Sequence, residues 1–373
     1  MKLLYLTIQM DLMGGVARIV AEKANWFVAH GYEVTVCDIE NYPMQPYYPL
    51  DPRVKFRIGG MATPPGGMLT RLKGVLRAIG QLRRVIREER PDVIINAHCP
   101  LVTWVLPFLP LRSLEVMEIH QSRQGLEVFN RQFMSPRGRW VHRWAIRWIY
   151  GQYDKFVVLT HGDQEQWNLK NCVVIPNFVE SKKLGNDSND AVEEQRGDKR
   201  QILLLARLMP QKRIDLMIRI WSRLANDFPE WHVKVLGEGQ ERAALEQQIR
   251  QAGLQQSFLL PGEVKDVQPE LSRSGILCLT SEYEGFGIVL IEAMQTGVPV
   301  MAFEYVGVHD IIQDGHDGIV VPFGDVEGYA AKLRDLMLAE EERKRLATNA
   351  SVSVHKFDKE RVMQQWCALV STD

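Results

Sequence analysis

No stretch of this chain is long and apolar enough to cross a bilayer. The longest apolar run, LVTWVLPFLPL at 101–111, has 11 residues and two prolines, well short of the ~18 that a membrane-spanning helix needs. The N-terminus, MKLLYLTIQMDLMGG, carries one lysine and an apolar run broken by Asp11. It is too short for a secretory signal and reads as a buried first strand. The expectation is a soluble or peripheral protein of the cytoplasm. Cysteine is sparse: five residues at 37, 99, 172, 278 and 367, widely spaced and without a CxxC pair. That excludes a disulfide framework and a zinc module, and predicts small apolar core residues. No GxxxxGK[ST] occurs, which excludes P-loop chemistry, and GEGQER at 237–242 is a poor match to GxGxxG, so a nicotinamide cofactor is not supported. An Asp-x-Asp in a strand-end loop is missing too; DSND at 187–190 lies in a polar stretch. Net charge is only −1, so no overall field favours nucleic acid.

What is present is an ordinary globular composition. The chain has 373 residues, 46% hydrophobic and 24% charged, enough for two domains and unlike a disordered, collagenous or coiled-coil chain. The near-neutral total hides an asymmetry. Residues 1–180 hold 22 Lys/Arg and 16 Asp/Glu, a net +6, which leaves −7 for the rest. Short apolar runs at 2–8, 33–39, 92–97, 114–120 and 155–160 alternate with helical patterns such as 16–30 and 69–90. Runs apolar throughout are strands buried on both faces, so the rhythm predicts a parallel α/β sheet. The polar stretch 181–200 breaks it, and it restarts at 201–206, 232–237, 257–260, 275–280, 298–303 and 318–322. Two Rossmann-like, doubly wound domains are predicted: 1–180, with 355–373 returning to it, and 181–354. Ligands of such sheets bind at the carboxyl ends of the strands, here in a cleft between the two.

The candidate site residues lie at those strand ends. Gly14-Gly15 follows the first strand and precedes a helix, where free backbone N–H groups can meet an anion; a plain tight turn explains it equally. Arg207 and Lys212 follow the run 201–206, where two cations suit a diphosphate; solvated surface charge is the alternative. The densest stretch is Ser281-Glu282-Tyr283-Glu284-Gly285-Phe286-Gly287-Ile288, leading into a helix to about Thr296. Glu292 sits eight residues beyond Glu284. At ~3.6 residues per turn that is about 80° of rotation, so both carboxylates can face one ligand. Among apolar neighbours Glu292 needs a partner, and a sugar diol supplies one. A helix-capping glutamate plus an ordinary surface one is the alternative.

This order of pieces resembles the retaining family-4 glycosyltransferases of the GT-B fold. The E-x7-E spacing from Glu284 to Glu292 carries the likeness, together with the Gly-Gly loop, the Arg207/Lys212 pair, the Glu-Gly-Phe-Gly turn and Gly-Val-Pro-Val at 297–300. The resemblance implies that Arg207 and Lys212 neutralise the diphosphate of a nucleotide sugar. It implies that Glu292 holds the ribose, and that Glu284 with Gly285, Phe286, Gly287 and Ile288 positions the donor sugar and phosphate. Gly15, beside Gly14, would bring a backbone N–H to the phosphate, and Glu263 would lie in the loop that cradles the base. His120 matches the family's histidine at an N-domain strand end; many relatives have an acidic residue next, where this chain has Gln121. The implied reaction is transfer of a sugar with retention, UDP-sugar favoured over GDP-sugar, to a hydroxyl of a glycan or lipid-linked glycan. No metal or other cofactor is called for.

Two basic, apolar-interleaved stretches bear on the acceptor. Residues 71–90 carry seven Arg/Lys, and 137–150 carry four Arg and three Trp. Such helices suit an anionic lipid surface, or else simply pack on the sheet with a solvated basic face. Two other classes fit the same pattern: a nucleotide-sugar 2-epimerase of the same fold, which would need catalytic acids in the first half and no acceptor, and a non-catalytic nucleotide-sugar-binding module. A pyridoxal-phosphate phosphorylase is disfavoured by the short chain.

Overall fold

The computed structural model describes residues 1–62, 67–97, 99–180 and 199–371; DSND and most of the polar stretch at 181–200 lie outside them. The chain divides into two compact units, Met1–Asn177 with Val362–Asp373, and Phe178–Arg361.

The first unit is built on a seven-stranded sheet: β1 (Lys2–Thr7), β2 (Glu33–Asp38), β3 (Lys55–Ile58), β4 (Val93–Asn96), β5 (Leu114–Glu118), β6 (Lys155–Val158) and β7 (Cys172–Val174). All its pairings are parallel, in the order β3-β2-β1-β4-β5-β6-β7. β1, β2, β4, β5 and β6 lie within the predicted runs. β3 and β7 were not anticipated, and both are edges. β3, KFRI, has only partly covered side chains, so it lacks the continuous apolar signature of a strand buried on both faces.

The second unit repeats the plan with six strands: β8 (Gln201–Leu205), β9 (His232–Leu236), β10 (Phe258–Gly262), β11 (Ile276–Leu279), β12 (Val300–Phe303) and β13 (Ile319–Val321). They are again all parallel, ordered β10-β9-β8-β11-β12-β13. Each unit has its own apolar core between sheet and helices, with Leu4, Ile94, Met117 and Phe156 in the first and Ile202, Val233, Ile276 and Phe303 in the second. In each, chain order reverses once, between β1 and β4 and between β8 and β11. Loops leaving the carboxyl ends of those neighbouring strands diverge, which opens a crevice there.

The return of the chain begins later than 355. Phe357 stays with the second unit, edge-on to Phe286 at 5.4 Å between ring centroids, and the first unit takes over from Val362, inside the last helix Lys359–Val370. Four of the five cysteines are buried; Cys367 is partly exposed and lies 3.4 Å from the Tyr32 hydroxyl.

Candidate active site

In the second unit the chemistry gathers at the reversal between β8 and β11. β8 runs out through exposed Arg207 into a 3-10 turn, Pro210–Lys212, and Arg213 then takes a left-handed conformation before the helix Ile214–Trp221. β11 runs out through buried Thr280 and Ser281 to Glu284, and the next helix, Ile288–Gln295, starts at Gly287. The two loops are stitched together. The Lys212 ammonium donates to both oxygens of Glu284, at 2.7 and 2.9 Å. The Ser281 hydroxyl donates to Glu284 Oε1 at 2.6 Å. Thr280 donates to the Lys212 carbonyl, and the Glu282 amide to the Gln211 carbonyl, each at 2.9 Å.

This arrangement makes a guarded cation. Lys212 is 18% exposed and Glu284 10%, so the pair is half withdrawn from water, where its field is screened less than at the surface. Of the ammonium's three donors, two are taken by the carboxylate, which leaves one for a ligand oxygen. The neighbouring Arg213 is turned elsewhere: it pairs with Asp215 through two 3.0 Å bonds, which raise its already high pKa.

The turn between Glu284 and the helix is set by glycine. Gly287 has φ +101, and a Cβ there would stand 2.4 Å from the Tyr305 hydroxyl, which itself donates to the Phe286 carbonyl at 2.8 Å. The Phe286 ring points into the core, so only its backbone is available to a ligand. The same break corrects the angular argument for Glu284 and Glu292. Glu284 is not in the helix, so an 80° offset on a helical wheel has no meaning across a left-handed Gly287. Glu292 is buried on the helix, Ile288 is half-buried in its first turn, and Glu263 is exposed just past β10. Arg207, Glu263, Glu284 and Glu292 thus all follow carboxyl ends of strands, and direct contact joins Lys212 to Glu284.

The glycines of GEGQER have a local cause. A Cβ on Gly237 would stand 2.1 Å from the Ala206 carbonyl oxygen, and one on Gly239 2.3 Å from that of Leu208. They let the loop after β9 close onto the loop that carries Arg207, an approach only glycine permits.

In the first unit, Gly14 is the extended residue before the helix Gly15–Ala29, without a side-chain cap, so the free N–H groups of the first turn are not met from that position. The loop ahead of it is held by Asp38, buried at the end of β2, whose carboxylate accepts from the amides of Met10 (2.8 Å) and Glu40 (3.0 Å). Burial raises the Asp38 pKa and those amides pull it back. His120 lies two residues past the end of β5. Its Nε2 is 3.2 Å from Glu118 Oε1, close but without aligned hydrogen-bond geometry, so the contact is chiefly electrostatic. Glu118 is in turn bound by Lys23, 2.6 Å from each oxygen.

Lys23, Glu118, Asp38 and Ser281 were not singled out from the sequence. Two carried a signal. Lys23 interrupts the apolar stripe Ile19, Val20, Ala24, Phe27 of a helix, and Glu118 interrupts the buried strand LEVME. A charge in such a place implies a partner. Ser281 stands in the stretch already read as the site, but nothing local assigned its hydroxyl to Glu284. Asp38 had no signal, because its bond to the Met10 amide joins the end of β2 to the loop past β1, 28 positions away.

Known proteins share this plan. Residues 13–183 match the family described as Glycosyltransferase Family 4, and residues 186–352 match Glycosyl transferases group 1. An amylovoran biosynthesis glycosyltransferase, AmsD, of Erwinia amylovora is 28% identical over 98% of both chains. A Campylobacter jejuni enzyme named as an α-1,4-N-acetyl-D-galactosaminyltransferase acting on an undecaprenol-diphosphate-linked glycan is 25% identical over 78% of this chain and 77% of its own. Among solved structures, sucrose-phosphate synthase of Thermosynechococcus elongatus superposes with a TM-score of 0.81 at 18% identity, over 99% of this chain and 98% of that one. HepE of Anabaena, in complex with UDP and glucose, gives 0.76 at 18% identity over the whole of both chains. The fold is therefore GT-B, and the chain belongs to the family 4, group 1 glycosyltransferases.

Proposed function

We propose that the protein transfers a hexose from a UDP-sugar to a hydroxyl of a glycan or lipid-linked glycan, with retention of configuration and without a metal. The observation that carries this is the Lys212–Glu284 pair across the β8/β11 reversal, next to exposed Arg207 and a glycine turn that opens a helix. When the anomeric bond breaks, the leaving diphosphate gathers charge. Lys212, Arg207 and the amides at Gly287 meet it with preorganised donors, each worth on the order of 3 kcal/mol. Glu284 keeps the ammonium in place until the diphosphate arrives and then holds sugar hydroxyls, Glu292 takes the ribose, and the loop at Glu263 faces the base. Within the first unit, Gly14-Gly15 suits a phosphate and His120 a sugar hydroxyl. The leaving phosphate oxygen assists deprotonation of the acceptor on the same face of the sugar; trapping of a covalent glycosyl-enzyme would refute that route. The relatives support the donor and acceptor classes: a structural neighbour was solved with UDP and glucose, and a curated relative is named for an undecaprenol-diphosphate-linked acceptor.

The acceptor side has its own observation. In the first unit the helix Met68–Glu89 exposes Leu69, Leu72 and Leu76, the segment at 104–108 exposes Trp104 and Phe108, and the helix Pro136–Tyr150 exposes Trp140, Trp144 and Trp148. Phe108 stacks on Trp148 at 5.7 Å. Arg71, Lys73, Arg77, Arg139, Arg143 and Arg147 flank these apolar rows. Apolar side chains framed by arginine fit an anionic bilayer surface, where indole and guanidinium both prefer the interface. No helix among the described residues is long and apolar enough to cross a membrane, so the contact is peripheral.

Thermal shift against UDP, GDP and ADP tests the donor. Ligand at a hundred times its dissociation constant stabilises by ~2.7 kcal/mol. UDP is expected to raise the midpoint; a rise with GDP alone would replace the donor, and none with any diphosphate would refute the site.

A further inference from the structure

Under the first unit's histidine lies an ion pair that the reaction has not yet used. Lys23 and Glu118 are 1% and 2% exposed. The ammonium lies 3.5 Å from the centre of the Trp366 ring and 5.5 Å from that of Tyr5. A pair so deeply buried adds little net stability, because desolvating two charges offsets their attraction, and apolar side chains of similar size often serve as well. Its position suggests another role. Glu118 and His120 are two residues apart on an extended segment and share a face, with Oε1 3.2 Å from Nε2. The ionisable groups around them are Lys23 from the helix Gly15–Ala29, Tyr5 from β1 and Cys367 from the last helix. Burial alone would push the Glu118 carboxyl up, but Lys23, followed by His120, holds it at about 2. Burial lowers Lys23 to about 8 against the pull of Glu118. The carboxylate is therefore charged throughout the neutral range.

Which nitrogen of an imidazole carries the proton is decided by the partner of the other. The Glu118 carboxylate, an acceptor only, lies 3.2 Å from Nε2, so its field draws the ring proton to that nitrogen even though the two are not aligned as a hydrogen bond. We propose that Glu118 is a positioning residue: it keeps the proton of the neutral ring on Nε2 of His120, leaving Nδ1 as the acceptor offered to the reacting sugar, while Lys23 balances its charge. This rests on the reading that His120 serves the sugar.

The test replaces the pair by apolar side chains, Lys23→Met with Glu118→Leu, so that no charge is left buried alone. Nitrogen-15 spectra of labelled histidine report the His120 tautomer without any substrate. The wild type is expected to be held with Nε2 protonated at pH 8, and the double variant to mix both tautomers. UDP release from UDP-glucose, UDP-galactose and their N-acetylamino forms is expected to show kcat down severalfold, in step with the share of rings that leave the Nε2 tautomer, with KM for the donor unchanged. Adding His120→Ala is expected to lower kcat further. A wild-type tautomer or wild-type kcat in the double variant overturns the proposal. If the double variant does not fold, a second apolar pair, Lys23→Leu with Glu118→Met, decides by the same spectrum, an unchanged tautomer again overturning the proposal. If His120→Ala alone turns over normally, or no donor is consumed, the reading of His120 or of the donor falls, and the spectrum still decides whether Glu118 holds the ring.

Discussion

Lys212→Met removes the guarded cation and leaves the rest of its side-chain volume. Glu284 then keeps the Ser281 hydroxyl at 2.6 Å but loses both contacts to the ammonium. Breaking a fully buried pair costs about 3–5 kcal/mol. Here both partners are still touched by water, so the loss of stability is expected at about 1–2 kcal/mol. For the ligand, a charge-assisted bond to phosphate is worth about 1.5–3 kcal/mol, so UDP is expected to bind about 10- to 150-fold more weakly by titration calorimetry. Turnover, read as UDP release, is expected to fall by roughly 10²–10³-fold, because the donor matters most as the diphosphate departs. Adding Glu284→Gln relieves the stranded charge and restores most of the stability, but neither affinity nor turnover. A folded Lys212→Met protein with wild-type UDP affinity and wild-type turnover would refute the role given to this lysine.

Gly287→Ala forces a side chain to φ +101 and against the Tyr305 hydroxyl; strain alone costs about 1–3 kcal/mol, and Tyr305→Phe, which removes the clashing oxygen, is expected to recover part of the loss in Tm and in turnover. Glu115 in β5 is raised to about 8 by burial and then by Asp154. The unfolded chain loses that proton near the ordinary pKa of 4.5 while the folded chain retains it, so stability declines as pH climbs from there to about 8. Glu115→Gln is therefore expected to stabilise by about 1–2 kcal/mol at pH 8, allowing for solvent screening, and to be neutral at pH 4. Replacing Trp140, Trp144 and Trp148 by Ser is expected to abolish flotation with phosphatidylglycerol vesicles at low salt while leaving UDP binding intact; a wild-type protein that does not float refutes the lipid surface.

The doubly wound plan was legible because a strand covered on both faces has no polar position, so runs such as LLYLT and ILLLA announce themselves. β3 and β7 did not: KFRI carries two cations and no buried side chain, and β7 is only three residues long, whereas β10 and β13, edges as well, were legible from their apolar runs. The turn at Glu284–Gly287 was legible as well, from its glycines and its place after a strand. The geometry of Glu284 relative to Glu292 was not, because φ at one glycine cancels any helical count taken through it. GEGQER looked like a failed nucleotide motif and is a close approach of two backbones, which no local pattern distinguishes.

The sequence by itself determined which residues stand at strand ends, since hydrophobic periodicity is local and a strand's last residue can be read from its own neighbours. Lys23 and Glu118 became anomalies only once the structure showed both buried. Only the tertiary structure decided who meets whom. Lys212 faces Glu284 across 72 positions, and Lys23 faces Glu118 across 95. Strand order alone makes such distant residues neighbours, and that order is a property of the assembled sheet, in which β11 chose β8 and β4 chose β1.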